Sequence, residues 1–238
     1  MTGGWLSDAG EEGSAVREAR PAAPRTTPGA WGILGGTFDP IHYAHLAIAE
    51  QARETLELAG VLFVPAGMPP HKTDRAVTAP SHRVAMVELA IADNPWFRLC
   101  RVEVDRPGRS YAVDTVQGLL AEPPEPFDPA AGFVFVLSVE ALVGLRDWRQ
   151  PERLLQLCRL AVVPRRGYPA SGRSWVAEHF PGYEDRVTFL DGPDLGHSAS
   201  AIRARAAAGR SIRYLVPPAV ESYIHEHALY PAELWGKN

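Results

Sequence analysis

From Trp31 onward the chain alternates between two hydrophobic patterns. Short apolar runs bounded by glycine or proline are each followed by a stretch with apolar spacings of three and four. Gly32-Ile33-Leu34-Gly35 is a short run that enters a Gly-Gly turn. Residues 44–58 then place Leu46, Ala49, Arg53 and Leu56 along one face, which predicts an amphipathic helix stopped by Gly60. Val61-Leu62-Phe63-Val64 reads as a buried strand ended by Pro65. Ser81 is the expected cap of a helix carrying Val84, Met86, Val87, Leu89, Ala90 and Ile91. Residues 97–104 alternate as a strand, and residues 111–120 are helical before Pro123, Pro124 and Pro126 break the chain. Residues 133–137 (Phe-Val-Phe-Val-Leu) are apolar at every position, as a strand covered on both faces would be. A helix over 151–157, strands over 160–163 and 187–190, and two closing helices over 199–208 and 218–227 follow.

Strands alternating with helices predict an α/β fold: a doubly wound, mostly parallel sheet with helices on both faces and a small C-terminal helical segment. Residues 1–30 stand apart. They are rich in Ala, Gly and Pro, their four acids and three arginines nearly cancel, and they show no sustained period. Such a segment buries too little apolar surface to offset the entropy of ordering, so it reads as a disordered extension ahead of a single domain over 31–238.

Composition narrows the function. The 238 residues are 46% hydrophobic and 22% charged, with a formal net charge of −4. An acidic balance without a basic stripe argues against nucleic-acid binding. Two cysteines, Cys100 and Cys158, exclude a disulfide scaffold or a four-thiolate metal site. No apolar run reaches the roughly 18 residues of a membrane-spanning helix, and the first residues carry no signal-peptide pattern. The sequence therefore reads as cytoplasmic with no membrane partner, and a homo-oligomer is compatible with it. Any anionic ligand has to be held by local positive groups.

The chemistry concentrates in residues 35–45, Gly-Gly-Thr-Phe-Asp-Pro-Ile-His-Tyr-Ala-His, between a buried strand and a helix. Ligands of open α/β sheets bind beyond the carboxyl ends of strands, where glycines and helix N-termini favour phosphate. The segment matches neither common phosphate loop, Gly-x-x-x-x-Gly-Lys-Ser/Thr or Gly-x-Gly-x-x-Gly. His42 and His45, three apart, share one face of a first helical turn, where imidazoles can donate to phosphoryl oxygens. On spacing alone the pair also fits two surface histidines, or one in the core and one exposed. The His-Glu-x-x-His metal signature is absent.

Gly-Gly-Thr-Phe-Asp-Pro-x-His-x-x-His resembles the signature of the adenylyltransferase and cytidylyltransferase superfamily. Further segments are similar to the bacterial nicotinate-nucleotide adenylyltransferase family: residues 64–72 (VPAGMPPHK), 109–115 (RSYAVDT), 137–148 ending in Trp148, 163–168 (VPRRGY) and 198–203 (SASAIR). The likeness runs in order from about residue 32 to residue 230. It implies a Rossmann-like fold and adenylyl transfer from ATP to nicotinate mononucleotide, with magnesium carried on the triphosphate rather than in a protein metal cage. By the same resemblance His42, His45, Lys72 and Arg203 are catalytic. Gly36, Thr37, Phe38, Ser138, Glu140, Arg165, Ser198 and Ser200 join His42, His45 and Arg203 around ATP. Gly67, Lys72, Tyr111, Ala112 and Trp148 border the acceptor, with Trp148 stacked on the pyridine. Taken singly, Lys72 also reads as a solvated loop lysine, Arg203 as the partner of a carboxylate, and Trp148 as plain core.

The chain departs from the family pattern at four places. Ala44 replaces the glycine of His-x-Gly-His, and Ser138-Val139-Glu140 replaces Gly-x-Asp. Ala112 removes a hydroxyl from the pyridine side, and Ala199 replaces a serine of the last motif. The triphosphate elements are kept better than the acceptor pocket. Nicotinamide mononucleotide or another phosphorylated acceptor, and a nucleotide-binding protein without turnover, therefore stand as the alternatives.

Overall fold

Every residue from Phe133 to Leu137 is buried, and in the computed structural model the strand they form, β4 (Phe133–Ser138), lies inside a sheet covered on both faces. The structure describes residues 29–69, 77–164, 172–191, 196 and 198–232. Its strands are β1 (Trp31–Gly36), β2 (Gly60–Pro65), β3 (Phe97–Leu99), β4, β5 (Arg159–Val163) and β6 (Val187–Phe189). They form one six-stranded sheet in the order β3-β2-β1-β4-β5-β6. Every pair is parallel, with Ile33 of β1 opposite Leu62 on one side and Phe135 on the other. This is the doubly wound α/β arrangement that the alternation of patterns predicts.

The helices are α1 (Tyr43–Leu56), α2 (Pro80–Ile91), α3 (Ala112–Ala121), α4 (Val139–Val143), α5 (Pro151–Leu157), α6 (Arg173–His179), α7 (Ala199–Ala207) and α8 (Pro218–Glu226). Two separate apolar cores form, one per face of the sheet. Ala49, Ala52 and Leu56 of α1, Met86, Val87 and Ala90 of α2, Ile202 of α7 and Ile224 of α8 share one. Val116 and Leu119 of α3, Leu154 and Leu155 of α5, and Val176 of α6 share the other. Cys158 is buried in this second core, where loss of solvent pushes its thiol up to about 12, so it behaves as a small hydrophobe. Among the described residues no helix is long and apolar enough to cross a membrane.

Several boundaries differ from the sequence expectation, each for a local reason. Helix α1 ends at Leu56 because Glu57 adopts a left-handed conformation (φ 56°) and closes the last turn through its N–H. Gly60, expected to stop that helix, is instead the first residue of β2, where a Cβ would sit 2.6 Å from the Trp31 ring and 2.7 Å from the Trp96 carbonyl. Helix α2 starts at Pro80, whose missing N–H suits the first helical position. Ser81 therefore lies inside the first turn and is not the cap.

Strand β3 stops at Leu99 rather than reaching Val104. The Arg101 carbonyl accepts from the Asp105 N–H at 2.9 Å and turns the chain out of the sheet. The extra helices α4 and α6, and the 3-10 turns over Gly144–Asp147 and Glu184–Arg186, are too short to produce a readable period. Ala30, assigned by sequence to the extension, is buried, and its carbonyl accepts from Ala59 N–H at 2.9 Å. Of that extension, residues 1–28 lie outside the described residues.

The contact around Gly60 carries a prediction. Gly60→Ala has to displace Trp31 or the 96–97 backbone, an overpacking defect that costs about 1–3 kcal/mol. Urea unfolding of the variant should show a lower midpoint, and an unchanged midpoint would contradict the contact.

Candidate active site

Connections leave β1 and β4 toward opposite faces of the sheet, so a crevice opens at their carboxyl ends. A cleft of about 530 Å³ occupies it. Its floor is the ends of three strands: Gly35 and Gly36 of β1, Leu137 and Ser138 of β4, and Val163 of β5. At Gly36 a Cβ would lie 3.0 Å from the Phe38 ring, closer than ordinary van der Waals contact, so a side chain there would press on that ring.

Of the residues singled out by sequence, Gly36, His42, His45, Tyr111, Ala112, Ser138, Trp148, Ser198, Ser200 and Arg203 line this one cleft. His42 is the residue before α1, with extended backbone (φ −149°, ψ 168°), and His45 lies one turn on. Their rings stack at 3.8 Å between centroids. The His42 N–H donates to His45 Nδ1 at 3.2 Å, satisfying a donor at the helix start. A neutral imidazole that accepts at Nδ1 carries its proton on Nε2, which makes that nitrogen a donor. The Phe38 ring meets His45 edge-on at 5.0 Å.

Across the cleft, Ser198 caps α7, its Oγ accepting from Ala201 N–H at 3.1 Å. Arg203, one turn into α7, donates through Nη1 to the Asp39 carbonyl at 2.6 Å and through Nη2 to Ser200 Oγ at 3.1 Å. The last turn of the 35–45 loop and the C-terminal helices are thereby joined. Ser138 plays the same capping part for α4, accepting from Ala141 N–H at 3.3 Å.

Other expected residues fall differently. Phe38, in a left-handed conformation (φ 50°), turns its ring into the core against Phe63 and supports His45 from below, so its side chain does not line the cleft. Thr37 and Gly67 each give their carbonyl to Arg83, and neither lines the cleft. Glu140 sits in the first turn of α4, half-buried and outside the lining. Lys72 and Arg165 lie outside the described residues.

The far end of the cleft holds groups that motif reading passes over. Arg149 lies 5.0 Å over the Tyr111 ring and donates to Asp114 at 3.2 Å, next to Trp148. Trp148 itself packs edge-on against Phe135 at 6.1 Å. Glu103, 7% exposed, lines the cleft from the segment that was expected to be strand. Thr115 Oγ1 donates to it at 2.6 Å, and Arg106 donates on to Thr115 at 3.3 Å. Ser110 also bonds the carboxylate, and its Oγ accepts from Gly67 N–H at 2.9 Å. Burial is the largest influence and holds the Glu103 carboxyl above the ordinary carboxylate range, against the lowering effect of these donors. Gly67 passes directly over this point, where a Cβ would lie 2.2 Å from the Glu103 carbonyl oxygen. A single carboxylate in a nominal strand leaves no pattern, so Glu103 is not legible by sequence spacing.

Among the described residues no group of three or more His, Cys, Asp and Glu side chains is placed to hold a metal ion.

A family model described as cytidylyltransferase-like matches residues 33–205. A protein of Roseiflexus sp. (strain RS-1), described as "Probable nicotinate-nucleotide adenylyltransferase", is 46% identical over 199 residues, covering 84% of this chain and 96% of that protein. A protein of the same description from Thermomicrobium roseum is 44% identical, covering 84% and 90%. Among solved structures, a Plasmodium falciparum nicotinic acid mononucleotide adenylyltransferase complexed with NaAD superimposes with a TM-score of 0.69 at 19% identity. It is covered over 97% of its length, by 84% of this chain, and supports the fold.

The elevated Glu103 carboxyl makes a prediction about stability. Its contribution is full below the ordinary carboxylate pKa and is lost as the pH rises through its raised value. Glu103→Gln keeps the acceptor for Thr115 without a charge to desolvate. Thermal midpoints from about pH 5 to about pH 8 should therefore move in favour of the variant as the pH rises. A difference independent of pH would sink this account.

Proposed function

The chain belongs to the nicotinate-nucleotide adenylyltransferase family within the cytidylyltransferase-like proteins, and from that membership we propose that it transfers the adenylyl group of ATP to nicotinate mononucleotide. A phosphate oxygen of the mononucleotide attacks the α-phosphorus of ATP. The bond from that phosphorus to the bridging oxygen of the β-phosphate breaks. Nicotinate adenine dinucleotide and pyrophosphate are released, with no covalent enzyme intermediate. The observation that carries this reading is the convergence of His42, His45 and Arg203, distant in sequence, on one cleft shared with Tyr111 and Trp148.

Such a reaction needs positioning and charge stabilisation more than acid–base chemistry. His45, its proton on Nε2, donates to the α-phosphate where charge builds, and His42 beside it contacts the triphosphate. Arg203 holds the departing β- and γ-phosphates, helped by Ser198 and Ser200 at the start of α7. Gly36 lies against the nucleotide beside the Thr37–Phe38 backbone, with Ser138 on its other side, and Glu140 and Arg165 are assigned to ATP by family membership alone. Magnesium enters with ATP, bound to its phosphates. Lys72 is assigned to the acceptor phosphate, in the segment that follows Gly67, and Tyr111, Ala112 and Trp148 to the pyridine. Residues 31–238 act as one catalytic unit, in the cytoplasm with soluble substrates.

The acid is favoured over the amide as acceptor by Arg149, a cleft-lining cation over the ring of Tyr111. A carboxylate gains from that charge, and a carboxamide does not.

Two measurements test the proposal. With magnesium, ATP and a panel of mononucleotides, pyrophosphate release should be fastest with nicotinate mononucleotide, by at least about tenfold over the amide. Release with none of them would end the enzymatic reading, and a preference for the amide would reassign the acceptor. His45→Ala should lower kcat by about 100-fold or more, as loss of a preorganised donor does. Near-normal turnover would remove His45 from the role.

A further inference from the structure

Arg83 carries a charge on the buried face of α2, in line with Met86, Val87 and Ala90, and is 1% exposed. Its three guanidinium nitrogens donate to three different main-chain carbonyls: Nη1 to Thr37 at 2.8 Å, Nη2 to Gly67 at 3.2 Å and Nε to Thr78 at 2.9 Å. Thr37 lies in the loop between β1 and α1. Gly67 and Thr78 stand on either side of the stretch that contains Lys72. Arg83 does not itself line the cleft.

Asp39 completes the cluster at 3% exposure. Its carboxylate accepts from Thr78 N–H at 3.2 Å and from the Tyr230 hydroxyl at 3.0 Å, while its carbonyl accepts from Arg203. Burial lowers the Arg83 pKa, and the Asp39 charge works against that shift. An arginine keeps its proton at neutral pH regardless.

A cation in a helix core is costly unless every donor is used, and a leucine or methionine would fill the same volume without that cost. What a hydrophobe cannot do is hold three carbonyls of two loops in one plane. A lysine, with a single nitrogen, cannot reproduce it either.

We infer that Arg83 is a positioning residue for adenylyl transfer: its planar fork sets the separation between the nucleotide loop at Thr37 and the acceptor loop at Gly67 and Thr78. This rests on the function proposed above. The two loops belong to different substrates, so their separation determines whether the attacking oxygen lies in line with the α-phosphorus. A displacement of about 1 Å in such a geometry lowers turnover about 100-fold. The Asp39 carbonyl carries the same alignment to Arg203, on the leaving-group side.

The test compares wild type, Arg83→Lys and Arg83→Ala, measuring kcat, the separate Kd of ATP and of nicotinate mononucleotide, and the folded fraction. Arg83→Lys should lose about 100-fold in kcat per folded molecule while both Kd values stay within about threefold. Guanidinium at about 10 mM should restore kcat of folded Arg83→Ala by at least about tenfold, and methylammonium at the same concentration should not. The role is overturned by an Arg83→Lys kcat within about threefold of wild type. It is equally overturned by a loss explained entirely by unfolding, or by a folded Arg83→Ala that guanidinium does not rescue. If Arg83→Ala does not fold, the Arg83→Lys kcat per folded molecule decides alone. Wild type that releases no pyrophosphate defeats the proposed function as well, whereas active wild type with an unimpaired Arg83→Lys defeats only the positioning role.

Discussion

The parallel pairing of β1 with β2 on one side and β4 on the other governs the rest of the molecule. Parallel strands cannot be joined by tight turns, so each neighbour is reached through a crossover that packs a helix on a face of the sheet. The crossover from β1 runs through α1 to one face, and that from β4 runs through α5 to the other. Their divergence leaves a gap at the carboxyl ends of the two strands, and the cleft fills it. Side chains that approach from α1, α3 and α7 do so because the sheet has already directed those helices around the same opening.

Around that gap the protein keeps charges where solvent is largely excluded. Arg83, Asp39 and Glu103 are all buried, and each is surrounded by donors or acceptors that match its charge. Most of those partners belong to loop backbone. A loop has no ladder of its own, so its carbonyls and N–H groups need partners from elsewhere when water is absent. The buried polar cluster meets that need and at the same time restricts the loops to one arrangement. The Arg149–Asp114 pair at the cleft's rim differs, being half-exposed and worth little to stability. Its charge matters through its position beside Tyr111.

Much of the fold was legible by pattern. Apolar runs such as Phe133–Leu137 and the helical spacing over residues 44–58 located the strands and long helices, because burial on one or both faces dictates side-chain type directly. The candidate site was legible in part. Motif segments pointed to His42, His45, Ser198, Ser200 and Arg203, which line one cleft. Phe38 turned out to be a core support, since its left-handed backbone rotates the ring inward. Arg83 had a signal that motif reading passes over: a charge in line with the apolar positions that form the buried face of α2. Glu103 had none, because the turn that carries it is set by a hydrogen bond at Arg101 rather than by any periodicity.

The chain by itself determined which segments are strands or helices, that the sheet is parallel, and that glycines and histidines gather where β1 meets α1. Those properties follow from local spacing, turn residues and helix termini, whose physics acts over a few residues. Only the tertiary structure decided that Arg83 bonds carbonyls on two separate loops, that Asp39 meets Tyr230 and the Arg203 guanidinium, and that Gly67 passes over Glu103. Each of these depends on groups far apart in sequence that meet in space once water has been excluded, and excluded water is what turns a buried charge from a liability into a fixed point of geometry.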